Sequence, residues 1–251
     1  MRLSARRHAQ FAGGAARLAR SRSPAPARAP LGASFLALLL LVPLPGWAAS
    51  APTNAAGASV AITVQLPDGQ PVAGAVVTLH ALAPDSRPAP PQRAVMDQVN
   101  RAFAPDLLVI PVGSTVEFPN SDTVSHQIYS FSPAKRFQLP LYRGNPNPPV
   151  RFDQAGIVTL GCNIHDEMLA YLVVTDAQFF GRTNASGSWT VEVPKGRYRV
   201  SVWHPRMRDD TKELDRELMV GQGDRTTLTL RLAKPLRPAP LESQPHSWDS
   251  Y

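Results

Sequence analysis

The sequence predicts an all-β protein, and three observations carry that expectation. After residue 51, apolar residues recur at every second position, the repeat of a half-buried strand, and not at every third or fourth. No later stretch holds a 3.6-residue period over the length of a convincing helix. Turn-forming clusters punctuate the alternating runs, as at Pro67-Asp68-Gly69, Pro194-Lys195-Gly196 and Gly221-Gln222-Gly223-Asp224.

The chain starts with a segment of different character. Residues 1–33 hold seven Arg and no acid, and the apolar run Phe35–Val42 follows, then Pro43, Pro45 and the small residues Ala48-Ala49-Ser50-Ala51. A basic stretch, a short apolar stretch and an Ala-rich exit predict a signal peptide over residues 1–51, with export to the periplasm. The apolar run falls short of the roughly 20 residues that span a bilayer, so a membrane anchor is disfavoured and the mature protein is expected not to span a membrane. The pair Arg6-Arg7 is too far from the apolar run to be a strong twin-arginine signal. All 19 Asp and Glu lie after residue 51, with 19 of the 26 Lys and Arg, so the mature chain is close to neutral (19 − 19 = 0). No basic footprint for nucleic acid remains.

The strands follow in order. Residues 60–66 (Val-Ala-Ile-Thr-Val-Gln-Leu) alternate, turn at 67–69, and the pattern resumes around Val76–Leu79. Pro84–Pro91 is a Pro-rich linker, expected to be extended and outside any sheet interior. Val116–Asp122 ends one strand and His126–Phe131 starts the next. Val158–Gly161 is a strand, Asn163–Glu167 a loop, and Leu169–Val174 the strand that returns. Alternation is plain again at Trp189–Val193, Tyr198–Val202 and Leu228–Leu232. Lys212–Leu218 reads as loop or edge strand. The tail 235–251, rich in Pro and Ser, is expected to be disordered.

Cys162 is the single cysteine, so no disulfide can form within the chain. In an oxidising compartment such a thiol is paired between chains, reactive, or bound to metal. Its neighbours favour metal. Cys162, His165 and Met168 have the spacing Cys-x2-His-x2-Met in one tight loop, and His126 lies 36 residues upstream on another strand. A thiolate and two imidazoles in a plane, with a weak axial thioether, are the ligands of a blue-copper electron-transfer site. Thiolate and thioether favour Cu(I) while imidazole tolerates both oxidation states. Taken singly, Cys162 and Met168 would be core residues and His126 a strand histidine satisfied by backbone. Their convergence on one strand–loop–strand points to one type 1 copper ion held by His126, Cys162, His165 and Met168. His80 and His204, at strand ends, read as structural.

At these residues the chain resembles the cupredoxins. The Cys162–Met168 loop has the short spacing of the amicyanin type, and the run from Ala102 through Val112–Phe118 to His126 is similar to the first half of that fold. Many cupredoxins place Asn after the first His, where this chain has Gln127; Asn120 or Asn163 is then the candidate brace. Residues 62–79 and 183–200 resemble the two halves of a carboxypeptidase-regulatory-like (transthyretin-like) sandwich. The combination resembles exported bacterial plastocyanin-like proteins labelled methylamine-utilisation proteins. The resemblance implies a cupredoxin β-sandwich at 94–175, inserted into or docked on a small sandwich made from 58–83 and 176–233. It also implies one-electron transfer with a redox partner protein; copper storage or delivery is the alternative. An enzyme is not expected: Cys162 and His165 are three residues apart without an oxyanion-hole glycine motif, and the histidines are too few for a multicopper oxidase.

Overall fold

The computed structural model describes residues 57–239 apart from Asp224, and in it the alternating runs become strands. The leader and residues 240–251 of the tail lie outside the described residues. The chain opens with β1 (Ala58–Gln65) and β2 (Val76–Ala81), then the short β3 (Arg93–Val95), β4 (Asp97–Val99) and β5 (Ala102–Ala104). Four strands follow: β6 (Leu107–Pro111), β7 (Ser114–Glu117), β8 (His126–Ser132) and β9 (Lys135–Tyr142). They lead to β10 (Val150–Phe152), β11 (Gly156–Gly161) and β12 (Leu169–Thr175). After β13 (Phe179–Arg182), β14 (Ser188–Val193) and β15 (Gly196–Trp203) comes a single 3-10 turn at Thr211–Leu214. The described strands end with β16 (Arg216–Val220) and β17 (Thr226–Arg231). None of the described helices is long and apolar enough to cross a membrane.

Seven strands from the two ends of the chain pack as two sheets, in the orders β14-β1-β17 and β13-β2-β15-β16. The inward positions of β1, Val60, Ile62 and Val64, meet Val77 and Leu79 of β2 and Tyr198, Val200 and Val202 of β15 in one buried cluster. Lys212–Leu218 resolves into the 3-10 turn and the start of β16, an edge strand. The turn before β14 shows how local sequence sets the register. The Asn184 side-chain oxygen accepts from the amides of Ser186 and Ser188, both at 3.0 Å, an Asx-type turn that delivers Gly187 to β1. There the Val64 amide donates to the Gly187 carbonyl at 2.8 Å. Gly187 has φ +72, and a Cβ on it would lie 2.7 Å from the Val64 carbonyl oxygen. Gly187→Ala is therefore expected to cost about 2 kcal/mol, combining the left-handed penalty with the clash. Urea unfolding checks this, with the midpoint moving down and the slope unchanged.

Residues 93–175 build a second pair of sheets, ordered β6-β12-β11-β8-β9 and β10-β7-β3, with β4-β5 as a small hairpin beside them. Between them lie Ile110, Val116, Phe118, Ile128, Phe152, Val158, Leu160 and Leu172, together with Cys162 and Met168. β6 runs parallel to β12, whereas β8, β9, β11 and β12 are joined antiparallel. β9 carries Pro140 and was not among the strands that alternation predicts. Its place at the sheet edge explains the tolerance, because Pro there forfeits no ladder hydrogen bond.

The two pairs of sheets meet through Val76, Leu107 and Val173, with Val109, Ile157, Tyr171 and Trp203 packed around them. The Tyr171 and Trp203 rings meet edge to face at 5.5 Å. β2 and β12 are thus covered on both faces, which is why Val76-Val77 and Leu172-Val173-Val174 run apolar without alternating.

Candidate metal centre

The loop between β11 and β12 is short and closed by its own backbone. The Met168 amide donates to the His165 carbonyl at 3.0 Å, making a β-turn with Asp166 and Glu167 at its centre. That turn leaves Asp166 and Glu167 in solvent, holds His165 half-buried at the surface, and returns Met168 to the core cluster that contains Cys162. His126 arrives from the other side at the start of β8, fully buried. A β-bulge between His126 and Ile128 shifts the register of β8 against β9, the device by which strands re-aim a side chain.

Three of the four residues singled out in the sequence converge. His126 Nδ1 lies 3.1 Å from His165 Nδ1, and Cys162 Sγ lies 3.8 Å from the first and 4.0 Å from the second. The point equidistant from these three atoms is about 2.1 Å from each, close to the roughly 2.0–2.1 Å and 2.3 Å that a nitrogen- and sulfur-bound metal adopts. The three form a potential metal-holding group. Met168, the fourth, is buried in the same apolar cluster as Cys162. His80 and His204 stay apart from the cluster. His80 Nε2 donates to Asp176 at 2.9 Å. His204 Nδ1 accepts from the Arg206 amide at 3.1 Å, and burial first, then the charge of Arg206, pulls its pKa down to about 4.

Asp122 decides which His126 nitrogen is free. Its carboxylate Oδ2 lies 2.9 Å from His126 Nε2 and can only accept there, so Nε2 carries the proton and Nδ1 presents a bare lone pair to the cluster. The hydrogen bond from His126 leads in holding the Asp122 carboxyl well below the usual carboxylate range; burial opposes it, and the amides of Arg101 and Thr123, at 2.6 and 2.7 Å, reinforce it. The Arg101 amide is delivered by the two-residue turn of the β4–β5 hairpin, where Asn100 and Arg101 have φ of 52° and 58°. A carboxylate–histidine pair of this kind fixes ring orientation and raises basicity in metal sites. Burial leads in lowering the His165 pKa from its ordinary value, and the neighbouring His126 ring and the Arg101 charge add to it.

The loop carrying Asp122 is braced by Asn120, not Asn163, which is exposed. The Asn120 amide donates to Val124 O at 3.0 Å and Tyr142 O at 2.7 Å, while its oxygen accepts from the Asp122 amide at 3.0 Å. Beneath the site, the Tyr142 hydroxyl donates to Phe118 O at 2.6 Å and accepts from Gln98 Nε2 at 2.5 Å. Burial, above all, pushes its pKa up to about 12. Asp122, Tyr142 and Gln98 were not singled out from sequence. The Asp-x3-His spacing was the available signal for Asp122; nothing local marks Gln98.

Asp122→Asn keeps the shape but lets an amide N–H face His126 Nε2, which pushes the proton to Nδ1. Cu(II) affinity is expected to fall about 10–100-fold, read by titration calorimetry, with the metal-free fold little changed.

No protein-family model matches the chain, and no curated protein matches it. Solved structures similar to it include a purple cupredoxin from Nitrosopumilus maritimus, 24% identical with a TM-score of 0.30, covering 33% of this chain and 99% of that one. Amicyanin from Paracoccus versutus is 15% identical, with a TM-score of 0.30, over 39% of this chain and 98% of its own. A copper-containing nitrite reductase from Thermus scotoductus SA-01 is 24% identical, with a TM-score of 0.32, over 38% of this chain and 25% of that one.

Proposed function

We propose that this is an exported, non-enzymatic type 1 copper protein that carries one electron at a time. The observation that carries the reading is the triangle of His126 Nδ1, His165 Nδ1 and Cys162 Sγ, with the His126 tautomer set by Asp122. Met168, buried in the same cluster as Cys162, would add its thioether to the ligand set. In this reading residues 94–175 are a cupredoxin sandwich set within a regulatory-like sandwich of 58–83 and 176–233, as in proteins labelled methylamine-utilisation proteins. Residues 1–51 are the periplasmic export signal.

Copper bound there would supply a one-electron couple. The chain's own residues supply the rest. His126 and Cys162 are buried and exclude water, and the short turn at Asp166-Glu167 and the Asp122 and Asn120 hydrogen bonds hold the ligand positions against rearrangement. His165 alone of the four sits half-exposed, beside Ile164, which is 52% exposed, so its ring edge is the natural exit toward a redox partner.

Storage or delivery of copper would use the same residues. Against it stands the scarcity of methionine, five in the whole chain, where a chaperone presents Met- and His-rich transfer motifs. Protein-film voltammetry separates the two. A reversible one-electron couple is expected; rapid handover of copper to an acceptor without such a couple would favour delivery.

A further inference from the structure

The outward face of the sheet β6-β12-β11-β8-β9 is only half covered. Tyr171, Val173, Ile157, Leu107 and Val109 lie under Val76 and Trp203 of the other pair of sheets. The remaining half, along β8, β9 and the end of β11, faces solvent. It holds a shallow hollow of about 330 Å³ between Tyr129, Phe131, Thr159, Gly161 and Leu169. Phe131, at 76% exposed, is the most exposed large apolar side chain among the described residues, and its ring leans on Tyr129 at 5.2 Å between centroids.

Tyr129 ties this surface to the metal centre. Gly161 is the residue of β11 paired with Tyr129, and a Cβ on Gly161 would come within 2.8 Å of the Tyr129 hydroxyl and ring. The phenol therefore lies directly against the backbone of the residue that precedes Cys162. The open face reaches the thiolate through one aromatic contact and one peptide.

Charge completes the description. From Thr123 to Phe152 the chain has four cations, Lys135, Arg136, Arg143 and Arg151, and no carboxylate. Arg151, on β10 of the other sheet, is engaged by Asp153 at 2.6 Å, and Lys135 turns to the core side of β9, 6.0 Å above the Phe152 ring; Arg136 and Arg143 make no ion pair among the described residues. Arg136 stands directly opposite Phe131 in the ladder, on the same face. The free edge itself is blunted by Pro140 and these charges, which disfavours docking by strand addition and leaves the face.

We infer that the β8–β9 ribbon is a docking face for an acidic redox protein, seating Phe131 in an apolar pocket rimmed by carboxylates and passing the electron through Tyr129 and Gly161 to Cys162. This rests on the copper electron-transfer reading, and it is a face separate from the His165 edge. Exposed aromatic anchors flanked by arginine are the usual energetic centres of such interfaces, and complementary charge steers the encounter. An anionic membrane would meet the same charges, but nothing in membrane binding calls for the Tyr129 contact at Gly161.

The test uses a plant-type [2Fe–2S] ferredoxin, a strongly acidic one-electron donor, as probe. With the Cu(II)-loaded protein at low salt, Arg136→Glu and, separately, Phe131→Ser are expected to lower the second-order reduction rate at least about 10-fold, and Arg136→Glu also to flatten its salt dependence. Reduction by the small cation hexaammineruthenium(II) should not slow in either variant, which shows the metal centre intact. Unchanged ferredoxin rates in both variants, with Ile164→Ser abolishing the reaction, would place docking at the His165 edge and overturn the inference. So would charge-dependent binding to phosphatidylserine vesicles without any effect on ferredoxin rates. Should the wild type form no copper chromophore, the copper reading itself fails. Amide NMR of the metal-free protein with oxidised ferredoxin then still decides the docking face, with shifts at 129–136 supporting it and shifts confined to 163–168 refuting it.

Discussion

Cys162→Ser abolishes the intense visible absorption expected of the Cu(II)-loaded protein. That band arises from charge transfer out of a thiolate, and a serine hydroxyl, un-ionised at neutral pH, has neither the energy match nor the affinity for Cu(I). The two imidazoles at 3.1 Å would still bind Cu(II), so the variant should be pale, not metal-free. Cys162 is buried among Ile128, Leu160 and Met168, so a hydroxyl in its place also costs the metal-free fold about 1–2 kcal/mol. The measurements are an absorption spectrum after Cu(II) titration and urea unfolding of the metal-free pair. A variant as blue as the wild type would remove Cys162 from the ligand set.

Leu172→Ala carries the largest expected loss of stability, about 3–5 kcal/mol. Leu172 is fully buried in the middle of β12, paired with Leu108 on one side and Val158 on the other. Strands on both sides and the covered outer face of β12 leave the backbone little freedom to collapse into the space a smaller residue leaves. β12 is also the strand that returns from Met168, so the variant should bind Cu(II) more weakly as the loop end loosens. Thermal and urea unfolding measure the first effect and titration the second. A loss below about 1 kcal/mol would mean the core there is looser than its burial implies.

The strands whose alternation is plainest in the sequence are those with one wet face. β1, β14, β15 and β17 alternate because each lies on a sheet with core on one side. β2 and β12 were read as strands at Val76–Leu79 and Leu169–Val174, and what local pattern does not carry is that the second pair of sheets covers their outer faces and lets them run apolar. β9 hid behind Pro140, and β3, β4 and β5 are three residues each, too short to show a period. Cys162, His165 and Met168 were legible together because one loop carries them all. His126 could be placed because a strand starts on it, but the bulge that turns it inward left no mark in composition. Asp122 escaped notice for a physical reason. Its role comes from two turns, Asn100-Arg101 and Ser121–Val124, folding toward each other, and loop–loop convergence has no periodicity to read. The cationic, acid-free stretch 123–152 was visible in sequence all along and gained meaning only when β8 and β9 proved to line an open face beside Gly161.

The most direct measurement is a paired optical and electron paramagnetic resonance spectrum of the purified protein loaded with one equivalent of Cu(II). A thiolate-bound copper in a constrained trigonal site gives an intense visible band and an unusually small copper hyperfine splitting, and that is the expected result. A colourless or pale complex with the wide splitting of tetragonal copper would contradict the assignment of His126, Cys162 and His165 as a type 1 centre.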